Sequence, residues 1–556
     1  MKNRVLIVLL IFSSLNLWAQ EQNLDLQQVD VVEQFVPTIP PARKIVDIPK
    51  IFDTVKVQKK VRYSTLSKQY QTAYLIDTIK AAKIKGEPIL RLYQTYLKLG
   101  LGNTALPSIE GYYNSLRNKY WSYGLEAGYH NSPAKVEGYD AGFQQTKIAA
   151  YGKGVLDFGI VNANISRAGN VFSAHGMQDI LSKQQLHQYW GYSQFNLSLE
   201  SKHNNRDRLR YFTAIHLSDL NEMTENNYGF ESLFKKRFGT YDYSLSFKAD
   251  LYTNNTARDI AFVGYTKREG IYTFSPRFYG DFYGVKLSTG FDEVINNMMT
   301  DTLGLNFHLY PKLRVDYEIV PKIFKVYGGV NSGLQKNSYW SFSKENPFVL
   351  NALRYDGDAL ELKNTSSVDF YAGLNTYFNS YIRLSAELSY SNRKDMAFFA
   401  RNENPNYYLN KFSVLYDDAK CLSIQANANW YPSDKKGLKL SLVYNQYKLA
   451  KLIYPSGLPS FEMNINGFYN LGDKIIGHVD FYSSFLREAE RTGQLDYAIK
   501  YIDLGNIIDF DLKIEYRYNK VLSAYLSGMR LIGGYEIWQN YPVIPRQIQL
   551  GISYQL

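Results

Sequence analysis

The sequence has few of the features that stabilise or identify most proteins of its length. It contains a single cysteine, Cys421, so no disulfide can form within the chain. After the short run Val5–Phe12, no apolar stretch is long enough to form a transmembrane helix. No GxSxG elbow, Walker A loop or dinucleotide fingerprint is present. These absences argue against a disulfide scaffold, a helical membrane protein and the common enzyme classes.

Metal ligation has no sequence signal either. None of the seven histidines forms an HExxH pair or another close ligand spacing. They are His130, His175, His187, His203, His216, His308 and His478. We therefore interpret them as loop or polar-face residues, and we expect no cofactor, no metal site and no enzymatic activity.

Aromatic residues and positive charge are abundant. The chain has 49 Tyr and 31 Phe, and tyrosine, with an apolar ring and a polar tip, suits a membrane interface. The net charge is +11, but Lys and Arg are scattered along the sequence rather than clustered. This distribution predicts a diffuse positive field and no nucleic-acid partner.

The N-terminus has the pattern of an export signal. Lys2 and Arg4 precede the apolar run Val5–Phe12, and Leu17-Trp18-Ala19 ends in a small residue. This order of charged, apolar and small residues predicts a cleaved signal peptide over residues 1–19.

Residues 20–90 form a second region that is rich in Pro, Lys, Val and Ile. Its closely spaced prolines disfavour long helices and central strands, so we expect an extended segment in the periplasm or in the lumen of a barrel. Candidate contacts with the lumen or with a partner are Val31, Val32, Phe35, Pro37, Ile39, Lys44 and Ile45.

Long alternating strands dominate the rest of the chain. From Ile508 to Tyr518 the even positions are apolar and the five odd positions between them are charged. Soluble strands average about five to six residues, whereas a tilted membrane crossing needs about nine to eleven. Residues 91–556 are therefore expected to form an all-β, transmembrane antiparallel β-barrel.

The C-terminus ends on the same pattern, because apolar residues occupy every second position from Ile548 to Leu556. The residues expected to face the membrane are Ile508, Phe510, Leu512, Ile514, Tyr516, Ile552, Tyr554 and Leu556.

Connections between the strands alternate in length. Short turns are expected near Asn118-Lys119, Gly152–Gly154 and Gly280-Asp281, among others, and long loops include Leu334–Thr365 and Ser391–Lys420. Alternation of this kind is typical of a barrel with one periplasmic and one exterior side. With both ends periplasmic the strand number must be even, and we predict about 22 strands, within a range of 18–22.

The opposite strand faces predict a polar lumen. The candidate lining residues are Glu126, Lys248, Asp250, Arg383, Glu387, Gln425, Asn427, Asp509, Asp511, Lys513, Glu515 and Arg517. The charged run from Asp509 to Arg517 is expected to form a salt-bridge ladder across strands, with a solute pathway as the alternative.

Two regions resemble a known family. Tyr535, Trp538 and Tyr541-Pro542, with the closing Leu550–Tyr554, resemble the last hairpin of TonB-dependent receptor barrels. Val31–Ile39 and Lys85-Gly86-Glu87-Pro88 resemble a group of Bacteroidota outer-membrane proteins labelled TonB-dependent receptor-like that lack the plug. The resemblance implies a barrel in the outer membrane of a Gram-negative cell. No plug-like pattern is found in residues 20–90, which leaves energised import without support from the sequence.

Three functions remain open at this point. The barrel could be a passive or partner-gated transport channel or receptor, with a small-molecule solute that the sequence does not identify. It could instead be a scaffold that anchors an outer-membrane assembly through its N-terminal segment, or a surface adhesin that binds through its loops. Expected partners are outer-membrane lipid or lipopolysaccharide and a periplasmic or outer-membrane protein.

Overall fold

A computed structural model describes residues 92–136, 139–173, 187–221, 225–255, 266–299, 303–349, 362–402, 411–492 and 501–556. The signal peptide expected over residues 1–19 lies outside the described residues. So does the segment expected over residues 20–90, including its candidate contacts from Val31 to Ile45.

Strands make up nearly all of the regular structure. In chain order they are β1 (Thr95–Gly102), β2 (Ala105–Asn114), β3 (Trp121–Ser132), β4 (Lys135–Val136), β5 (Tyr139–Asp140), β6 (Phe143–Val155), β7 (Ile160–Ser173), β8 (His187–Glu200), β9 (Arg210–Leu220), β10 (Glu225–Phe238), β11 (Tyr241–Asn255), β12 (Thr266–Phe282), β13 (Val285–Met299), β14 (Leu303–Val320), β15 (Phe324–Gln335), β16 (Thr365–Asn379), β17 (Ile382–Asn402), β18 (Phe412–Ser433), β19 (Lys436–Leu449), β20 (Pro459–Leu471), β21 (Ile475–Thr492), β22 (Tyr501–Asp503), β23 (Ile507–Arg517), β24 (Leu522–Met529), β25 (Glu536–Trp538), β26 (Tyr541–Pro542) and β27 (Gln547–Gln555).

These strands close into one antiparallel barrel. Consecutive strands pair with each other, and β1 pairs with β27 to close the sheet. The segments β22 and β23 both pair with β21 and form one interrupted strand, so the barrel has 22 strands. The short hairpins β4–β5 and β25–β26 lie outside this sheet. The predicted fold class and strand number are confirmed.

An apolar belt follows the outer face because antiparallel partners share a face. Ile514 pairs with Leu526, Leu526 with Leu550, and Leu550 with Leu101 across four neighbouring strands. All four side chains are exposed. A row of exposed aliphatic residues at matched register is the surface that a barrel presents to lipid.

Both ends of the barrel lie on the side of the short turns, where the Gln94 N–H donates to Leu556 O. Asparagine begins several of these turns: the Oδ1 atom accepts backbone N–H groups two and three residues later at Asn118, Asn379 and Asn519. Such a side chain replaces the missing strand partner and allows the chain to reverse in a few residues. Long connections lie on the other side, here called the loop side.

Two predicted turn positions were wrong by a few residues. Gly152–Gly154 lies inside β6, and Gly280-Asp281 lies inside β12. The β12–β13 turn instead uses Tyr283 and Gly284, whose φ angles are 55° and 85°. Positive φ at both central positions is the geometry of a tight hairpin. Tyrosine is not one of the residues that favour this geometry, so the sequence did not indicate the turn.

The prediction of a long loop over Ser391–Lys420 was also wrong. Strand β17 continues to Asn402 and β18 begins at Phe412, so this hairpin extends well beyond the length needed to cross a membrane. The polar residues at 391–395 are typical of a loop, and the strand was therefore not predicted there. A bulge with Asp395 at a φ of 51° interrupts the pairing there, and the strand then resumes.

The described residues also contain one short helix, α1 (Tyr339–Glu345), which an all-β expectation omits. Ser338 caps its N-terminus, and Ser341 completes a reciprocal capping box. In the part of the chain that the structure describes, no helix is long and apolar enough to span a membrane.

Candidate functional site

The polar residues expected to line the lumen lie on the strand face opposite the apolar belt. On β23 the charged residues from Asp509 to Arg517 share one face, and the exposed Ile508, Ile514 and Tyr516 share the other. The same polar face on other strands carries Glu126, Lys248, Asp250, Arg383, Glu387, Gln425 and Asn427. The outer face also carries Phe510, Leu512, Ile552 and Tyr554, and Leu556 follows the last strand.

Some of these candidates form ion pairs. Lys147 Nζ lies 2.7 Å from Glu126 Oε1 on the neighbouring strand. Asp250 receives Lys248 Nζ at 3.2 Å and His216 Nε2 at 3.1 Å. The first contact joins adjacent strands, the Lys248 contact runs along β11, and His216 reaches Asp250 from β9 across β10.

The five charges of β23 do not form the predicted ladder across strands. Glu515 pairs along its own strand, with Arg517 at 3.2 Å and Lys513 at 4.0 Å. Asp509 and Asp511 accept backbone N–H groups from residues 530–533, which follow β24. A carboxylate that accepts several N–H groups fixes a loop, so these two residues anchor the last long connection instead.

Other candidates on β17 and β18 contact uncharged side chains. Tyr327 donates its hydroxyl hydrogen to Glu387 Oε2 at 2.8 Å, and Gln425 lies opposite Glu387 in the register. Asn427 Nδ2 lies 3.4 Å from Ser385 Oγ. Glu387 thereby connects the predicted set to a larger polar region on β12 to β16.

That region, which the sequence analysis missed, contains shared carboxylates. Asp292 receives the Arg277 guanidinium at one oxygen and Lys312 Nζ at the other, the latter at 3.4 Å. Lys312 also donates to Asn331 Oδ1 at 2.6 Å. Asp292 on β13 therefore binds one cation on each of its two neighbouring strands, β12 and β14.

Arg314 forms the second centre of this region. Asp316 accepts from its Nε and Nη2 atoms at 2.9 and 3.0 Å, and Lys325 Nζ lies 2.8 Å from the same carboxylate. The guanidinium carbon lies 4.5 Å from the Tyr327 ring centroid and 5.9 Å from that of Tyr371. A cavity of about 320 Å³ opens beside these groups, lined by Arg277, Ser288, Lys312, Leu313, Arg314, Val330, Asn331, Tyr371 and Glu387.

A second feature is residues 336–349, here called the inward segment, which contains α1 and packs against the barrel wall. Glu225, at the start of β10, accepts from the backbone N–H of Tyr339 at 2.8 Å and of Trp340 at 3.0 Å. The carboxylate thus satisfies the N–H groups that the first turn of a helix leaves without partners.

Strand β8 supplies three further anchors for the inward segment. Tyr192 donates to Ser343 Oγ at 2.9 Å, and the Trp190 indole N–H donates to Pro347 O at 2.8 Å. Gln188 Nε2 donates to Val349 O at 3.2 Å. These hydrogen bonds dock the segment on the wall formed by β8 to β10.

Aromatic packing connects the inward segment to the opposite wall. Phe342 meets Phe399 of β17 at a centroid distance of 5.6 Å, and Phe348 stacks on Tyr541 of β26 at 3.9 Å. Phe412 of β18 completes the buried cluster with Trp190. The cluster therefore joins the wall at β8 to the extended part of the β17–β18 hairpin, at the loop-side end of the barrel.

A larger cavity of about 690 Å³ lies next to this cluster. Its apolar lining includes Phe172, Phe348 and Trp538, and Arg530 contributes a cation. Glu345 also reaches the cavity and its side chain is exposed there, yet the protein that surrounds it raises the pKa of Glu345 to about 7. The cavity could take a ligand with both aromatic and polar groups.

Two sequence signals could have revealed these features. On β14, Lys312, Arg314, Asp316 and Glu318 occupy alternate positions, which is the pattern that drew attention to β23. The connection after β15 contains Tyr339-Trp340-Ser341-Phe342, and aromatic residues in a long loop indicate that it packs against something. Which wall it contacts could not be read from the sequence.

Within the described ranges, no group of three His, Cys, Asp or Glu residues is placed to hold a metal ion. Neither a protein-family model nor a curated protein sequence matches the chain.

Solved structures do match the fold. The FrpB iron transporter from Neisseria meningitidis has a TM-score of 0.64 at 9% identity, covering 84% of this chain and 82% of that chain. The pyoverdine outer membrane receptor FpvA from Pseudomonas aeruginosa PAO1 has a TM-score of 0.61 at 9% identity, covering 84% and 79%. The copper transporter OprC has a TM-score of 0.60 at 11% identity, covering 83% and 80%.

At these identities the likeness establishes the fold alone. The chain has a 22-strand barrel like those of these outer-membrane transporters and receptors, which confirms the resemblance at the level of architecture.

Proposed function

We propose that this barrel is a gated outer-membrane transport receptor for a small polar solute, and that the inward segment is its gate. The observation that carries the proposal is the docking of residues 336–349 across the loop-side end of a lumen whose wall is polar. A scaffold needs no such segment, whereas a regulated channel does.

The inward segment can move without unfolding the barrel. Gln335 and Thr365 are direct partners at the ends of β15 and β16, so the segment leaves and re-enters the wall at one point. Its contacts with the barrel are hydrogen bonds, one aromatic cluster and the ion pair between Lys336 and Glu269. These contacts are non-covalent, so the segment can leave the wall while the strand pairing of the barrel stays intact.

The cavity of about 690 Å³ beside the gate provides a place where solute binding could bias the gate. Phe348 and Trp538 belong both to the cavity lining and to the aromatic cluster that holds the segment. A ligand that contacts these rings would therefore change the stability of the docked state. The FrpB, FpvA and OprC structures support a transport role by fold, and only that role is extended to this chain.

Planar-bilayer conductance of the full chain tests the proposal. Residues 337–363 are replaced by a short Gly-Ser linker, which the pairing of Gln335 with Thr365 permits. We expect the unaltered protein to be closed or to open rarely, and the variant to show stable open steps. Liposomes that contain the variant should also admit small polar solutes.

The matched control replaces residues 451–456, a loop-side connection that contributes no residue to the aromatic cluster, and should leave the conductance at the unaltered level. A heat-modifiable variant that stays silent after loss of the inward segment would contradict gating by this segment. Silence accompanied by a stoichiometric co-purified protein would favour the scaffold.

A further inference from the structure

The charged pairs on the inner wall are layered. In the pair Arg314–Asp316, 41% of the cation side chain is exposed against 13% of the carboxylate, and in Lys147–Glu126 the values are 53% and 27%. The pairs on β11, on β23 and between β13 and β14 show the same order, although Lys98–Glu110 and Arg393–Asp369 are reversed. In most of these pairs the cation is therefore the partner that a solute would meet first.

Side-chain length explains this layering. Asp and Glu lie close to the backbone, where Asp316 holds Arg314 and Lys325, and Asp292 holds Arg277 and Lys312. Lys and Arg extend beyond the carboxylates toward the lumen. A cleft with low-dielectric walls concentrates such a field, so the positive potential exceeds what the net charge alone implies.

The cavity of about 320 Å³ is lined by three cations, Arg277, Lys312 and Arg314, which we call the cationic wall. Arg314 and Lys312 are more exposed than their carboxylates, whereas Arg277 and Asp292 are nearly equal at 17% and 15%. Four carboxylates lie in reach: Asp292 and Asp316 at the base, Glu387 at the rim, and Asp369, which attracts Lys312 and lies 3.9 Å from Arg393. Lys325 and Arg393 bring the cations to five, so positive charge exceeds negative charge by one.

Arg314 is also held in a fixed orientation. Asp316 engages two of its three nitrogens, and the Tyr327 ring covers the guanidinium at 4.5 Å. A guanidinium fixed in this way loses little side-chain entropy when it binds an anion. Asn331 and Ser288 in the same lining supply neutral polar groups.

We propose that the cationic wall is a binding station for an oxyanionic solute, one that carries carboxylate or phosphate groups. This inference rests on the proposed function, since it names the class of solute that would pass through the lumen. Guanidinium and ammonium groups on neighbouring strands match the oxygen pairs of such anions. An anion there would neutralise the local excess of positive charge.

Calorimetric titration of the full chain in detergent tests the site without requiring transport. Citrate and inorganic phosphate are the two anionic probes, and their relative affinities separate carboxylate from phosphate recognition; glucose is the neutral probe. We expect binding of at least one anion, at least ten-fold weaker in Arg314→Gln and in Lys312→Gln, and weaker at high salt. Glucose should not bind.

The matched control is Lys435→Gln, which removes a cation from a periplasmic-side turn, paired with Asp473 and outside the cavity. It should bind the anions as the unaltered protein does. Arg314→Lys keeps the charge but loses the planar fork, so intermediate binding would indicate geometric recognition. Equal binding by Arg314→Gln, by Lys312→Gln and by the unaltered protein would overturn the site, as would binding of neither anion.

Ion selectivity separates this inference from the proposed function. In a KCl gradient, the variant that lacks residues 337–363 should prefer chloride, and Arg314→Gln in that background should reduce the preference. Open steps without anion preference would contradict the cationic wall and leave transport standing. Anion binding by a variant that never conducts would support the cationic wall and contradict transport.

Discussion

At the scale of single residues, a glycine on β10 leaves room for a contact between side chains on the two strands beside it. His216, Gly229 and Asp250 lie side by side on β9, β10 and β11. The His216 ring crosses over Gly229 and places Nε2 3.1 Å from Asp250 Oδ1. A Cβ at position 229 would lie 1.7 Å from His216 Cε1, so only glycine leaves room for the crossing.

Gly229→Ala is therefore expected to expel the His216 ring and break its contact with Asp250. Overpacking of this kind costs about 1–3 kcal/mol of unfolding free energy, which should lower the temperature at which the barrel loses its heat-resistant gel mobility. Gly152→Ala is the control, because an added Cβ there meets nothing within 4 Å. Equal midpoints for the two variants would show that the ring can move aside freely.

Glu345 brings pH dependence to the inward segment. Its carboxyl is exposed to the large cavity, but the surrounding wall and loops raise its pKa to about 7. A raised pKa in the docked state means that docking favours the protonated form. The stabilisation of the docked segment by protonated Glu345 is fully present below the ordinary glutamate pKa of about 4.3. It is lost as the pH rises through about 7.

The inward segment should therefore become more sensitive to trypsin between pH 6 and pH 8. Since trypsin itself depends on pH, the measured quantity is the ratio of cleavage rates for the unaltered protein and Glu345→Gln at each pH. Glutamine cannot ionise, so the ratio should rise with pH. A ratio that stays constant would mean that cavity water screens the charge completely.

At the scale of elements, two adjacent residues of β23 test the predicted lipid-facing and lumen-facing positions. Leu512 lies on the outer face near the middle of the strand, and Lys513 lies on the inner face beside Glu515. Leu512→Arg should destabilise the barrel by about 2–4 kcal/mol, whereas Lys513→Gln should have little effect. Unfolding in urea with lipid vesicles measures both variants, and the reverse order would mean that the two faces are assigned the wrong way round.

Elements with strict alternation could be predicted from sequence, and elements held by distant contacts could not. The strands around Trp121, Tyr243 and Ile508 were recognised because period-two patterning is local. The extension of β17 beyond Ser391 was missed because its polar residues resemble a loop once the strand leaves the membrane.

The candidate site illustrates the same limit. Glu387 was found because its strand alternates, but its partner Tyr327 lies on β15, two strands away. Glu225 was not suspected at all, because its role depends on α1, which lies more than one hundred residues later in the chain. Contacts of this kind depend on the closure of the barrel, which no local pattern encodes.

At the scale of the whole molecule, closure accounts for stability without disulfides. Pairing of β1 with β27 gives every barrel strand two neighbours, so no edge remains. The single thiol, Cys421, is buried and plays no part in this closure. A barrel of this kind should migrate anomalously in detergent gels unless boiled, and release from membranes by alkaline or high-salt washing would contradict it.

The last prediction concerns residues 20–90, for which the sequence alone provides the argument. Their prolines and lysines make an independent fold improbable, and a segment that orders on contact can cover much surface with few residues. The barrel closes through strands that begin at Thr95, so deletion of residues 20–90 should leave a heat-modifiable barrel. The deletion should raise the conductance or abolish co-purification of a partner.

A second variant separates the length of this segment from its contacts. Replacing Val31, Val32 and Phe35 with serine keeps the segment but removes apolar side chains that we expect to contact the lumen or a partner. If these contacts matter, the triple variant should reproduce the deletion in conductance or in partner recovery. If the deletion protein inserts normally and neither property changes, the segment serves only as a leader, and the proposed role of Val31–Ile45 is wrong.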